Sequence, residues 1–493
     1  MSERRVMPNV AKATKWSGMT ELGVKLIAPI TNAVLARLLV PAAFGVVATL
    51  TMVVSFAEIF TDAGFQKYLV QHEFADEDDL NHSTNVAFWT NLAFSLLLWG
   101  VISLFAEPIA KLVGSPGCGK AVIVMSLQIP LLAFSSIQMA RYRRDMDFKG
   151  LFVARMSTAF VPLVITVPLA MVFKSYWALV VGTLTKDLLN ALILTLRSRW
   201  KPRFYYSLQR LKDMLSFSAW TLLENITIWL TNYIGTFIVG IALTEYYLGL
   251  YKTTMSTVNG CLNIIATAST QVLFAALSRC QDDEEQLQGV FFKFQRMVSL
   301  LLIPLGFGLF VYRDLATNIL LGKQWTETAF FLGTWSLISA ITIVLSNFNS
   351  ELFRSKGKPR LSVLSQCLHL AVLVPLLIIC MDKGFMVLAV ARSLSRLQLA
   401  AVTMIIAHFA MGIKIWKVFQ NVYPAFLAAI IMAVAGYFLQ MVSPSMIWQI
   451  ASVAVCVVVY FLCLLAIPAG RRQLMEVPVV SKILGRFRKK PRQ

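Results

Sequence analysis

Charge is scarce in this chain. Only 14% of its 493 residues are Asp, Glu, Lys or Arg, where a soluble domain carries roughly a quarter. Acidic residues are the scarcest, 25 against 45 basic ones, for a net charge of +20. Cysteine is also sparse: Cys118, Cys261, Cys280, Cys367, Cys380, Cys456 and Cys463 form no CxxC pair and are odd in number. Neither a disulfide framework nor a zinc site is expected from them. Four histidines, His72, His82, His369 and His408, are scattered without ligand spacing, and the HEF at His72 lacks the second histidine of a zinc helix. No GxxxxGK[ST] loop is present, so nucleotide binding of that kind is excluded. The acid runs DEDD (Asp76–Asp79) and DDEE (Asp282–Glu285) read as solvated loops or helix starts. No catalytic constellation emerges, and the chain is not expected to be an enzyme.

What the chain has is apolar surface, 57% of residues, with a mean hydropathy of +0.69. Runs of about 20 apolar residues cross a ~30 Å hydrocarbon layer as helices. Lipid offers the backbone no hydrogen-bond partner, so such runs must be α-helical. Breakers and charges delimit about fourteen spans: 16–38, 43–65, 82–106, 121–140, 151–173, 175–196, 216–240, 249–276, 289–312, 328–350, 361–381, 384–410, 421–441 and 446–468. The fold class expected is an all-α, multi-pass membrane protein.

The basic excess sits mainly between spans, which argues for topology and against nucleic-acid binding. With alternate connections on opposite sides, 33 of the 45 Lys and Arg fall on the side of the N-terminus. Six lie opposite: Lys111, Lys120, Lys174, Arg313, Lys323 and Lys383. This asymmetry predicts cytoplasmic termini. The basic start MSERRVMPNVAKATKW leads into a stretch without a small-residue cleavage pattern, so it reads as a retained first helix. The outer connections are short, leaving no room for a folded external module. Two inner pieces, Arg197–Asp213 and the basic tail, mix cations with aromatic or aliphatic residues as surface-lying segments do.

Ionisable residues inside apolar spans are functional candidates, because each costs several kcal/mol without a partner or a wet cavity. The stretch Thr20–Gly45 carries Glu21, Lys25 and Arg37. Glu21 and Lys25 are four apart and share a face with Asn32; they line a cavity mouth or form a structural ion pair. Arg37 reads as an interface anchor. Glu58 and Asp62 repeat the spacing in the second span, while Glu224 with Asn225 and Asn232 occupies the seventh. Lys252 opens the eighth, followed by Thr253, Thr254, Ser256, Thr257, Asn259 and Asn263, hydroxyls and amides that suit a sugar-binding wall or helix packing. Arg392 and Arg396 fall near the midplane of the twelfth span. They await an anionic substrate or acids on neighbouring helices. Lys186-Asp187 is placed to neutralise itself.

A weak internal copy recurs 204 positions on. LVPAAFG (Leu39–Gly45) reappears as LTEYYLG (Leu243–Gly249), Asp78-Asp79 falls on Asp282-Asp283, and, at slightly larger offsets of 205 and 208, Leu104-Phe105 with Gly114 mirrors Leu309-Phe310 with Gly322. Two six-helix lobes in parallel pseudo-repeat are expected, 1–213 and 214–411, with 412–493 adding two helices and a basic cytoplasmic tail. Charged helices in a duplicated membrane protein suggest a transporter.

These residues resemble the polysaccharide transporter family, the Wzx-type lipid-linked oligosaccharide flippases of the multidrug/oligosaccharidyl-lipid/polysaccharide exporter superfamily. The landmarks are ARLLVPAAFGVVA (Ala36–Ala48), FTDAGFQKYLVQ (Phe60–Gln71), RRDMDFKG (Arg143–Gly150), YWALVVG (Tyr176–Gly182), YYLGLYK (Tyr246–Lys252), PLGFGLFVYRD (Pro304–Asp314) and LLGKQW (Leu320–Trp325). Colanic-acid-type exporters are the most similar subgroup. The resemblance implies two lobes around a cavity of alternating access, lined by helices 1, 2, 7 and 8, which favours Lys25, Glu224 and Lys252 over Arg392 and Arg396. It implies an undecaprenyl-pyrophosphate-linked oligosaccharide as cargo for exopolysaccharide, capsule or O-antigen synthesis in the bacterial inner membrane, beside polymerase and export machinery. No cofactor is implied; a proton or sodium ion is the candidate for coupling. A cation-coupled multidrug exporter of the same superfamily is the alternative. A membrane glycan polymerase or ligase fits less well, since it needs a sizeable outer loop.

Overall fold

The computed structural model describes residues 3–61, 65–198, 200–216, 219–280, 283–358 and 360–476. Among them there is no strand. Twelve helical stretches are long and apolar enough to cross a membrane. Twelve of the fourteen expected spans are thereby matched, including the short fourth and sixth. The other two, 16–38 and 249–276, lie in helices of 36 and 35 residues that carry more polar groups. The count of fourteen therefore stays at twelve plus two long helices that fall outside this set. Along most of the twelve, half or less of the apolar stretch is buried, down to 22% for Met446–Ala466. Phe409, Ile447 and Val172 stand outward at 83%, 82% and 76% exposure, as lipid-facing side chains do.

The chain forms two compact units. The first comprises Met1–Thr253 with Leu377–Phe385, the second Thr254–Leu376 with Met386–Gln493. In chain order the first unit begins with α1 (Glu3–Leu38), α2 (Pro41–Thr61), α3 (Phe65–Gln71), α4 (Glu77–Leu104) and α5 (Ala106–Leu112). There follow α6 (Gly119–Ser126), α7 (Gln128–Arg144), α8 (Phe148–Ala159), α9 (Val167–Phe173) and α10 (Trp177–Arg197). Then come α11 (Leu208–Ser216), α12 (Ala219–Ala242) and the first turns of α13 (Glu245–Arg279). A π-helical turn at Pro162–Thr166 joins α8 to α9 without ending the span, since proline there removes one backbone donor. Val46, Leu50 and Val54 of α2 pack with Ile102 of α4, Val122 of α6 and Val180 of α10. The acid run at Asp76 is a helix start: Asp76 caps α4 by accepting from the Asp79 amide at 2.7 Å.

The segment between α10 and α11 doubles back along α4. Trp89 Nε1 donates to the Arg203 carbonyl at 2.9 Å, and the Arg203 amide donates to Asn85 Oδ1 at 2.9 Å. Tyr205 stacks on His82 at 4.0 Å. Arg210 donates to the Asp79 carboxylate, and this bond raises the guanidinium pKa above its ordinary value, so that side remains charged throughout physiological pH. Phe204 is left 91% exposed.

The second unit contains the rest of α13, then α14 (Glu284–Val311), α15 (Arg313–Leu320), α16 (Ala329–Thr342) and α17 (Phe348–Ser355). α18 (Arg360–Cys380), α19 (Phe385–Met411), α20 (Ile415–Val442), α21 (Met446–Ala466) and α22 (Pro468–Met475) complete it. α14 is the hub, packing on α16 and α20, and α20 packs on α21. Polar ties hold that hub: Asn421 Nδ2 donates to Gln295 Oε1 at 3.1 Å, and Gln295 Nε2 donates to the Val344 carbonyl at 3.2 Å. Asp283 caps α14 by accepting from the Gln286 amide at 3.0 Å.

The duplicated motif proves to be a contact. α2 starts at Pro41 and α13 at Glu245, 204 residues apart, each after a two-residue hinge. A Cβ on Gly45 would lie 1.9 Å from the Glu245 carbonyl oxygen, and one on Gly249 would lie 1.8 Å from that of Pro41. Each motif thus touches its own copy, residue for equivalent residue. Gly45→Leu or Gly249→Leu should cost about 1–3 kcal/mol by forcing the backbones apart. Thermal unfolding of the purified protein measures this, with Gly289→Ala, where no atom lies within 4 Å of the added Cβ, expected to unfold no earlier than wild type.

Candidate functional site

Two clusters gather most of the charged candidates whose side chains are described. One lies in the first unit, where α2, α12 and α13 meet. Phe56 and Phe60 pack edge to face at 5.2 Å, Phe56 lies 4.8 Å from Trp229, and Trp229 stacks on Tyr233 at 5.4 Å. Trp229 Nε1 donates to Ser55 Oγ at 3.0 Å, fixing the indole against α2. The ladder ends at Lys252, whose Nζ sits 4.4 Å over the Tyr233 ring. A cation on a ring face gains about 0.5–2 kcal/mol from the ring quadrupole. The resulting wall is aromatic with a cationic end, a surface that can stack sugar C–H faces and meet a phosphate.

The second cluster lies within the second unit. Trp335 of α16 is 1% exposed, with Arg396 at 4.7 Å and Arg392 at 5.6 Å from its ring. Its Nε1 donates to Asn259 Oδ1 at 3.2 Å. Arg396 also donates to Ser339 Oγ at 2.7 Å, and Arg392 to Ser395 Oγ at 3.3 Å. His369, nearly fully buried, pairs with Gln398 at 2.8 Å. Asn259, Arg392 and Arg396 are thus brought together by a tryptophan absent from the sequence candidates. Arg392 at 6% exposure is a packed residue.

The remaining candidates are dispersed. Lys25, Asn32, Glu58 and Asn225 are partly exposed on α1, α2 and α12. Asp62 lies outside the described residues, as do the side chains of Glu21 and Glu224, so the Glu21–Lys25 pairing and the shared face of Glu58 and Asp62 fall outside what is described. Lys186 pairs with the buried Asp187 at 3.5 Å, as its spacing suggested. Of the hydroxyls on α13, Thr254 bonds Thr328 at 2.7 Å within the packing, whereas Ser256 and Asn263 are exposed. The residues missed, Phe56, Trp229, Tyr233 and Trp335, had one sequence signal: aromatic pairs four apart in apolar spans (Phe56/Phe60, Trp229/Tyr233, Phe331/Trp335).

The ladder on α2, α12 and α13 falls inside the part of the chain that a known family describes. The family of polysaccharide biosynthesis proteins matches residues 34–330. The chain belongs to that family. It is 30% identical over 346 residues to the succinoglycan biosynthesis transport protein ExoT of Rhizobium meliloti (strain 1021), covering 69% of this chain and 68% of ExoT. It is 20% identical over 404 residues to the lipopolysaccharide biosynthesis protein WzxC of Escherichia coli (strain K12), covering 80% of each. Among solved structures, the lipid II flippase MurJ in an inward closed conformation aligns with 91% of this chain and 98% of its own at TM-score 0.77 and 13% identity. A multidrug resistance MATE transporter in its inward-facing conformation aligns with 79% and 94% at TM-score 0.61 and 12% identity. The fold of this family member is therefore that of these transporters.

Trp335 gives the sharpest test of the second cluster. Trp335→Ala should destabilise the protein by about 3–5 kcal/mol through the cavity alone. Trp335→Phe keeps a ring under Arg396 but removes the donor to Asn259, for a loss of about 1–3 kcal/mol. Thermal unfolding of the two variants should rank wild type above Phe above Ala.

Proposed function

We propose that this protein flips a lipid-linked oligosaccharide, the repeat unit of a surface polysaccharide, from the cytoplasmic to the outer leaflet of a bacterial inner membrane. The observation that carries the reading is the aromatic ladder ending in Lys252 on membrane helices inside the family match. The relatives' names, a succinoglycan transport protein and a lipopolysaccharide biosynthesis protein, support it. The sugar and its diphosphate need a polar, cationic route, while the polyprenyl chain stays in lipid. A cavity of about 470 Å³ between α14, α15, α20 and α21, lined by Leu300, Pro304, Gly308, Met432, Val453 and Phe461 among others, offers largely apolar walls for such a chain.

In this reading the termini are cytoplasmic, the lobes 1–213 and 214–411 exchange access, and helices 412–493 are an addition. Lys25 and Lys252 meet the diphosphate, and Glu58, Asp62 or Glu224 takes the coupling proton or sodium ion. Translocation requires the cargo to bind both access states, with coupling biasing its release. The polymerase that consumes the flipped unit is the expected neighbour.

The test is complementation of a strain lacking the protein, with protein amount matched. Wild type should restore surface polysaccharide and clear the accumulated lipid-linked intermediate. The Lys25→Ala, Lys252→Ala double variant should lower export about tenfold, as loss of a charged contact does. Normal export by the double variant would remove the cationic route. Drug sensitivity of the deletion strain with intact polysaccharide would favour the exporter alternative.

A further inference from the structure

A second polar recess, away from the ladder, lies in the first unit where α7 and α10 end. Its cavity of about 220 Å³ is lined by Arg141, Tyr142, Asp145, Asp147, Arg197 and Trp200, with Ser198 between the last two. The floor is buried: Arg141, Tyr142 and Trp200 are each 7% exposed. The rim, Asp145, Asp147 and Arg197, is open. Local structure places both acidic residues at the rim. α7 ends in a turn through Met146, which takes a left-handed φ of 55°. Asp147 then starts α8 by accepting from the Gly150 amide at 3.0 Å. Trp200 is held edge to face against Phe88 at 5.8 Å.

One donor in this recess lacks a partner. Arg141 gives one guanidinium nitrogen to Asn81 Oδ1 at 3.1 Å, but its Nε has no hydrogen-bond partner among the described residues. A buried donor left unmet is costly, and an oxygen-bearing ligand in the cavity would satisfy it.

The chemistry of the lining selects that ligand. Two guanidiniums face two carboxylates, so the lining is neutral in sum. A phosphate would meet Asp145 and Asp147 at close range, and a simple cation would meet Arg141 and Arg197. A neutral molecule with many hydroxyls suffers neither repulsion. Carboxylates accept from hydroxyls, guanidiniums donate to hydroxyl and ring oxygens, and indole and phenol walls cover C–H faces.

We propose that this recess binds one sugar ring of the transported glycan, a recognition subsite that rests on the flippase reading above. Its place at the ends of α7 and α10, on the side where the basic connections cluster, is where a glycan would be met before translocation.

Ligand-observed saturation-transfer NMR on the purified full-length protein, with a panel of neutral hexoses and inorganic phosphate as probes, tests the site directly. At least one hexose should bind wild type. Asp145→Asn and Arg197→Gln, both on the exposed rim, should weaken it about tenfold, with unchanged elution and thermal midpoint. The same variants should lower polysaccharide export in the deletion strain. Absence of hexose binding, equal binding by the variants, or displacement of the hexose by phosphate would overturn the sugar assignment. Weakened binding with normal export would overturn its place on the transport route. Failure of wild type itself to restore polysaccharide would instead count against the flippase reading, whatever the NMR shows.

Discussion

The close crossing of α2 and α13 is the constraint on which the first unit depends. Two helices whose carbonyl oxygens lie where a Cβ would be cannot cross unless both positions are glycine, and here both are, Gly45 and Gly249. The contact is reciprocal: Gly45 meets Glu245, and Gly249 meets Pro41. A chain meeting its own copy through equivalent residues is the internal form of an isologous, two-fold interface. From that crossing α13 descends with Lys252 three residues beyond Gly249, against Tyr233 of α12. α2 descends with Ser55 and Phe56 three turns below Gly45, against Trp229. The aromatic ladder is therefore assembled by the same glycines that bring the hinges together. A second close approach works alongside it: a Cβ on Gly114 would lie 1.8 Å from the Gly240 carbonyl oxygen.

Much of this was legible in the chain itself. Apolar length located twelve spans within a few residues, because lipid leaves the backbone no structure but helix. The repeated motif was visible, but its helix starts were not: the spans were expected from 43 and 249, whereas α2 begins at Pro41 and α13 at Glu245, a proline or an acid opening the helix after a two-residue break. The acid runs at Asp76 and Asp283 were readable as helix starts, and they are N-caps. Register was harder. The fixed offset of 204 residues paired Asp78-Asp79 with Asp282-Asp283, whereas the caps that correspond are Asp76 and Asp283, 207 apart. Three residues gained between the copies slide the match by nearly a turn, in line with the Gly114–Gly322 pairing at an offset of 208.

The candidate site was legible in its charges but not in its partners. Arg392 and Arg396 were expected to meet an anionic substrate or neighbouring acids; among the described residues both also lie against the ring of Trp335. That ring comes from a helix almost sixty residues earlier, and an aromatic in an apolar span is ordinary packing until the fold sets a cation above it. The hydroxyls of α13 were equally ambiguous for a physical reason. Thr254 finds a hydroxyl on the 3-10 turn before α16, and a polar side chain in lipid satisfied in this way packs rather than lines a cavity.

Divergence between the halves points to where the first has specialised. Equivalent connections carry left-handed residues in both: Gly114 and Gly322, Met146 and Gly357, Lys174 and Gly384. In the second half all three are glycine, which adopts that conformation without steric cost. In the first half two bear side chains, at a cost of about 1 kcal/mol or more each. Strain of this kind persists only where surrounding structure over-determines it. Met146 sits between Asp145 and Asp147, and the turn it makes places both at the rim of the polar recess above Arg141. In the second half Gly357 is flanked by Lys356 and Lys358, so the same turn presents no carboxylate. The two equivalent turns thus differ in charge: acids flank the strained Met146 at the rim of the recess, and lysines flank Gly357.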